Sequence, residues 1–455
     1  MQYPDPPTTS ARTFAGLLFL AVFPVALLAV AQLLGLQPFV RLAVAGLVAA
    51  VAAVVCFTHP RYGVYFMLFY VYAGLGTIVG SGLVPLAVMS LILAGIAVHL
   101  VRGEPLRLTD PVFLWSAAFF SIVAFQSILL AHDPRTAAVT FSKWLKVLAL
   151  VFFIVQSIQT PQHVKWFART MFAGAVSTVI LGMVARRFGF APPEESLIGM
   201  SLRFSGLHPN ANYAAALLTS AIPIGVFLVK TERSLVWRLS TVLGIVLVTV
   251  AIFATYSRQA VFALGFVALA ILFKEVHSRK AYGAIFTVLL LGLILTPRYY
   301  WERLMTITEV IENSQEDWSL YLRVIAFKRA VRMFTEHPFL GVGLRNFAAR
   351  SGDALFVRIP AHNMYLEILT GVGLVGFAGY LAIFYSGARQ CVAGIKHRWR
   401  SAETWMRDFS YYTLISLLSV MIGGVFINNE FQYITWIPVA GSLVIAALRS
   451  SASER

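Results

Sequence analysis

Apolar runs of about 20 residues recur along this chain from residue 13 to residue 447. Each is long enough to cross the roughly 30 Å hydrocarbon core of a bilayer as a helix, and no soluble core needs so many. Only helices or closed barrels satisfy their backbone groups in lipid, and runs of this length and spacing are helical. The pattern predicts an all-α polytopic membrane protein with about 12–14 transmembrane helices. Composition agrees: 59% of the 455 residues are hydrophobic and 12% are charged, against about 25% charged in soluble domains.

Candidate spans lie near 13–34, 38–57, 62–79, 82–101, 111–131, 143–158, 164–186, 211–229, 239–256, 259–273, 281–296, 362–387, 409–427 and 431–447. Several are short, so twelve crossings with a re-entrant pair fit as well. The run from Thr13 is too long for a signal-peptide core and has no clear cleavage site, so it is read as a retained first span. One transmembrane bundle then occupies residues 1–455. Cys56 and Cys391 lie far apart, with neither a disulfide framework nor metal-type spacing between them.

A net charge of +16 in a soluble chain would point to nucleic acid. Here the Lys and Arg residues flank spans, so they report orientation and no nucleic-acid partner is expected. The side that includes residues 388–408 collects 18 basic residues, and the short loops opposite hold 7. The basic side is expected to be cytoplasmic, with both termini on it. The long segment 297–361 then faces outward. Within it, a capping-box pattern from Ser314 to Asp317 opens an amphipathic helix near 315–335. Leu320, Val324, Phe327, Val331 and Phe334 form its apolar stripe, and Lys328, Arg329 and Arg332 lie opposite.

Polar groups at three outward helix starts stand out because such groups are expensive near lipid. In "SLRFSGLHPNANY", Arg203 and His208 precede Pro209, and Asn210 or Asn212 can cap the following helix. From Leu239 to Phe273 a single helix would be about 52 Å long, so the chain must turn at Tyr256–Gln259. Ser257 can cap the new helix, which leaves the Arg258 cation against an already positive helix N-terminus. In "RIPAHNMYLEILTGVGLVGF", Pro360 precedes a helix that opens on His362, Asn363 and, one turn on, Glu367. Three helix N-termini with cations beside them suit a multiply charged anion such as a diphosphate. Each residue also has a plainer reading. The arginines can snorkel to headgroup phosphates, His208 and His362 can be loop and interfacial histidines, and Asn363 and Glu367 can satisfy each other at i, i+4. No outward aspartate pair is present to hold a divalent metal, so neither a metal nor a cofactor is expected.

Three stretches, "RFSGLHPNANYAA", "TYSRQAVFALG" and "EHPFLGVGLRNF…AHNMYLEILTGVGLVG", together resemble the O-antigen ligase and polymerase superfamily of bacterial envelopes. The resemblance covers roughly residues 200 to 380 by motif and the remainder by hydropathy. It implies transfer of a glycan from undecaprenyl diphosphate to a hydroxyl at the periplasmic face of the inner membrane. In ligases the acceptor is lipid A–core, in polymerases a growing repeat-unit chain, and in related enzymes a protein hydroxyl. It further implies Arg203 and Arg258 as diphosphate clamps and His362 as general base, its near-neutral pKa suiting that role. Asn363 and Glu367 would orient the imidazole or the helix end, and Tyr365 would line the acceptor path. Lys328, Arg329, Arg332 and Arg345 are candidates to meet acceptor phosphates, with a solvated basic face as the favoured plainer reading. The family often carries a polar or acidic residue in the last outer turn, where Asn428, Asn429 and Glu430 compete and none is assigned a role.

A lipid-linked solute transporter or flippase is the alternative from another class, since it would use the same arginines and helix ends. It would show internal repeats or broken mid-membrane helices. Membrane lipids are partners under either reading.

Overall fold

The computed structural model describes residues 53–76, 83–107, 110–188, 203–275, 318–350 and 360–453. The expected spans 13–34 and 281–296, most of 38–57 and the Ser314–Asp317 capping box lie outside the described residues. So do 297–317 and 351–359 of the outer segment. Among the described residues there are helices and loops and no strand. The long helices are α1 (Pro60–Ala73), α2 (Leu83–Val101), α3 (Pro111–Leu129), α4 (Pro134–Ser157), α5 (Pro161–Arg187), α6 (Ala211–Thr231), α7 (Leu235–Ala254), α8 (Arg258–Glu275), α9 (Trp318–Glu336), α10 (Met364–Lys396), α11 (Trp405–Gly424) and α12 (Tyr433–Ser453). Eight of these (α2 to α7, α10 and α12) are long and apolar enough to cross a membrane.

Local chemistry sets where the helices begin. Pro60, Pro111, Pro134 and Pro161 open α1, α3, α4 and α5, where a missing N–H costs nothing. Asp110, Asp133 and Thr160 cap three of them through side-chain oxygens. The Asp133 cap explains why α4 starts at Pro134, well before the expected 143: Lys143 and Lys146 sit inside the helix.

Burial separates an inner from an outer set of helices. In α6 and α12, Leu217, Leu218, Ile434, Trp436 and Ile437 are buried. In α3 and α7, Trp115, Ile122, Phe125, Leu239 and Val250 stand exposed, as expected for a lipid-facing surface. An aromatic cluster fastens the centre: Trp144 lies 4.9 Å from Trp436 and 5.0 Å from Phe120, and Tyr380 lies 5.1 Å from Phe384.

Successive helices alternate in direction, so their ends gather into two polar layers. One layer holds ion pairs that tie helix ends together. Asp110 is buried and receives hydrogen bonds from Ser386 at 2.5 Å, Arg389 at 2.6 Å and Gln390 at 2.9 Å. Arg169 grips Glu232 with two bonds of 2.6 and 2.7 Å, and Lys230 meets Glu275 at 2.7 Å. This is the basic end. The opposite layer holds the ends of α1, α3 and α7 and the starts of α4, α6, α8, α10 and α12.

Two helices depart from expectation. In α9 the packed side is Ala326, Ala330 and Met333, which meet Val342, Phe347 and Ala361. The expected stripe residues Val324, Phe327 and Val331 are exposed instead. Small residues let α9 approach the 341–347 loop closely, and the bulkier side chains are left on the surface. In α10 the helix breaks at Gly373, with φ 66° and ψ −172°. Segment 338–343 inserts there. Val342 and Gly343 donate to the carbonyls of Thr370 and Gly371, each at 2.9 Å, while Leu374 and Val375 donate to Pro338 and Phe339. The inserted backbone thus replaces the two helical bonds that the break removes.

Candidate functional site

The site forms in the polar layer opposite the basic end, where α6, α8 and α10 start. Asn210 caps α6, accepting from the amides of Asn212 at 2.8 Å and Tyr213 at 3.4 Å. Asn212 instead accepts from the Arg203 guanidinium at 2.8 Å, and Arg203 Nε donates to the Thr255 carbonyl at 2.8 Å. Phe204 donates its amide to Ala254 at 2.9 Å. The loop that carries Arg203 therefore lies along the α7–α8 turn, and that turn carries Arg258 at the first residue of α8.

Ser257 does not cap α8 as expected. It is 2% exposed, and its Oγ has no hydrogen-bond partner. Thr255 takes the local role, its Oγ accepting the Ser257 amide at 3.2 Å. Gln259 fastens the turn to α6 by donating to the Asn212 carbonyl.

At α10, Asn363 is the cap, accepting from the amides of Tyr365 at 2.9 Å and Leu366 at 3.1 Å. Asn363 and Glu367 therefore do not satisfy each other through their side chains. Glu367 is buried and reaches elsewhere, accepting from Asn428 at 2.7 Å and from the Ala361 amide at 3.4 Å. It thereby pins the residue before His362 and joins the start of α10 to the α11–α12 turn. Tyr365 donates its hydroxyl to the Met421 carbonyl at 2.8 Å, which fixes the ring against α11.

Arg345 and Glu430 close this network. Arg345 pairs with Glu430 at 2.7 Å, and Glu430 is fully buried. One guanidinium thus serves two buried carboxylates, Glu430 directly and Glu367 within electrostatic reach. Burial pushes the Glu430 carboxyl up, Arg345 opposes this and Glu367 adds to it; the balance is a rise to about 7. The Arg345 side chain is 37% exposed and turns one guanidinium nitrogen inward to Glu430. The weak sequence signal for the network was the acidic residue in "INNEF" and the arginine in "GVGLRNF".

His362 is partly buried, and burial together with Arg323 and Arg345 pushes its imidazole down to about 4. It is neutral at pH 7, and its pKa departs from the near-neutral expectation. His208, 4% exposed, packs at 5.3 Å on Tyr213, and burial pushes it down to about 4 as well. Among the described residues the non-glycine residues with positive φ are Tyr256 (49°), Arg345 (59°) and His362 (51°). All three lie in this layer. Such strain persists only where the surroundings impose it, and it concentrates at working sites.

Contacts also link α8 through the α11–α12 turn to Glu367 near the start of α10. Phe262, one turn into α8, stacks on Phe426 at 5.5 Å, two residues before Asn428, which bonds Glu367.

Together these features define a multi-pass helical membrane protein with one strained, cation-bearing site at a single end of its bundle. The O-Antigen ligase family model matches residues 243–381, so over that stretch the chain is similar to the superfamily its motifs resemble. The matched stretch includes Arg258, Arg345, His362, Asn363, Tyr365 and Glu367; Arg203, His208 and Glu430 fall outside it. No curated protein matches the chain.

Proposed function

We propose that this protein is an O-antigen ligase-type glycosyltransferase of the bacterial inner membrane. It moves a glycan from undecaprenyl diphosphate to a hydroxyl of lipid A–core at the periplasmic face, with both termini cytoplasmic. What supports the reading is one polar layer that holds the Arg203 loop, packed along the turn that carries Arg258, and the strained His362 before α10.

In the proposed reaction the acceptor oxygen attacks the anomeric carbon as the bond from that carbon to the diphosphate oxygen breaks. His362 takes the hydroxyl proton. Arg203 and Arg258 stabilise the leaving diphosphate as its charge develops, and direct displacement inverts the anomeric centre. A depressed imidazole pKa keeps His362 unprotonated before the donor binds. The arriving diphosphate, an anion nearby, raises that pKa toward the value a base needs. Neither metal nor cofactor enters this scheme.

Within the same superfamily a polymerase or a protein O-oligosaccharyltransferase differs only in acceptor. The experiment offers undecaprenyl-diphosphate-linked glycan with lipid A–core in one arm and a second copy of the donor in another, both in EDTA. Product on lipid A–core supports the ligase reading, and growth on the donor replaces it with polymerase. Loss of product in EDTA contradicts the metal-independent scheme. A lipid-linked solute transporter is the second reading, favoured by the break in α10 at Gly373. Movement of donor between liposome leaflets without product would select it.

A further inference from the structure

A cleft of about 110 Å3 opens at the basic end of the bundle, the end away from His362. It lies where the start of α1, the end of α2, the end of α4 and the start of α5 meet. That is too little for a drug-sized ligand and enough for one tetrahedral oxyanion.

Its lining is built for negative charge. The α1 N-terminus enters with His59 as N-cap and no side-chain cap bond; Pro60 has no N–H and the Tyr62 amide donates to the His59 carbonyl at 3.0 Å, so the helix start adds partial positive charge rather than a row of free donors. Arg61 follows, its guanidinium 5.2 Å from the Tyr62 ring, and among the described residues no carboxylate pairs with it. Gln156 holds Arg107 beside the cleft, its amide group accepting from and donating to the Arg107 backbone at 3.1 Å each. Both guanidinium groups act electrostatically on His163. That histidine accepts the Gln159 amide on Nδ1 at 3.3 Å, which puts its own proton on Nε2 as a donor.

Ser157 supplies the independent observation. It lines the cleft, is 7% exposed, and its Oγ has no hydrogen-bond partner. Buried hydroxyls are rarely left so, because an unmet donor costs about 1–3 kcal/mol. The carboxylate on the rim, Glu104, is already taken by His99 at 2.7 Å.

We propose that this cleft binds a single phosphate group, with Ser157 and His163 as hydrogen-bond donors and Arg61 as the neutralising charge. Headgroups of the adjoining leaflet and free phosphate both present that chemistry. The site is separate from the proposed transferase site and stands without it.

The test measures the melting temperature of purified protein in neutral detergent with inorganic phosphate, against chloride at matched ionic strength. A second arm uses nanodiscs of phosphatidylcholine with and without phosphatidic acid. The wild type is expected to melt higher with phosphate, with phosphatidic acid, or with both, and the pattern names the source. Arg61→Gln should at least halve the shift. Ser157→Ala should also diminish it while melting no lower than wild type without anion, since it removes an unmet polar group. Arg135→Gln, at an exposed arginine in the first turn of α4 at the opposite end, should keep the full shift. No rise in either arm, or a rise undiminished in both Arg61→Gln and Ser157→Ala, overturns the proposal.

Discussion

Arg345 shows how a single side chain decides the electrostatics of its surroundings. Its guanidinium is the cation that Glu430 and Glu367 share inside the protein. Replacing it with Ala strands buried charge, which typically costs 3–5 kcal/mol. Because Glu430 can take up a proton, the expected loss is at the lower end, about 3 kcal/mol. Thermal melts should show Arg345→Ala markedly destabilised and the double variant with Glu430→Gln partly rescued; an undisturbed melt would contradict the buried pair. His208 makes a pH prediction. Its folded pKa of about 4 lies below the unfolded value near 6.5, so the unfolded chain binds the proton first as pH falls. The stability linked to it is complete above pH 6.5 and declines from there to about pH 4. Melting temperature should fall less between pH 7 and 5 in His208→Gln than in the wild type. Little of this was legible in the sequence. His362, Asn363 and Glu367 stood out because polar groups at a membrane helix start are unusual. The Arg345–Glu430 pair spans 85 positions, and no local pattern encodes a contact between such distant residues.

At the scale of elements, hydropathy and capping located the described helices well. The turn at Tyr256–Gln259 follows from length, since the 35 residues from Leu239 to Phe273 would make a helix of about 52 Å against a hydrocarbon core of about 30 Å. Starts were misread where a charge interrupted the apolar run, as at Lys143, because an N-cap outranks local hydropathy. The face of α9 was misassigned for another reason. Periodicity finds the bulky stripe, but in a membrane protein bulky residues also face lipid, and close packing selects Ala326 and Ala330. The break in α10 could not be read either, because Gly373 is one of several glycines in "GVGLVGFAG" and only the inserted 338–343 segment distinguishes it. A Cβ at Gly373 would fall 2.2 Å from the Phe339 carbonyl carbon, and one at Gly341 2.5 Å from the Gly371 carbonyl carbon. Both glycines also have positive φ, which L side chains rarely adopt. Gly373→Ala and Gly341→Ala should therefore lower the yield of folded protein sharply. Gly265→Ala, where a Cβ meets open space, should leave it unchanged. Equal yields for all three would contradict the inserted arrangement.

The whole molecule is polarised: the pairs at Asp110, Glu232 and Glu275 and the proposed phosphate cleft at one end, strained backbone and the helix starts of α6, α8 and α10 at the other. The basic end is proposed to face the cytoplasm. Labelling of single cysteines tests this in intact cells. Lys328→Cys should react with an impermeant maleimide from outside, and Arg398→Cys only after the cells are opened; the reverse pattern would invert the topology. The central claim is that His362 performs the chemistry beside a diphosphate. Its most direct test compares transfer rates of wild type and His362→Ala on undecaprenyl-diphosphate-linked glycan, with donor binding measured in the same preparations. The account predicts retained binding and a rate lower by about 10²–10⁴-fold, the range expected for loss of a general base. A folded, donor-binding His362→Ala protein that transfers glycan at the wild-type rate would contradict it.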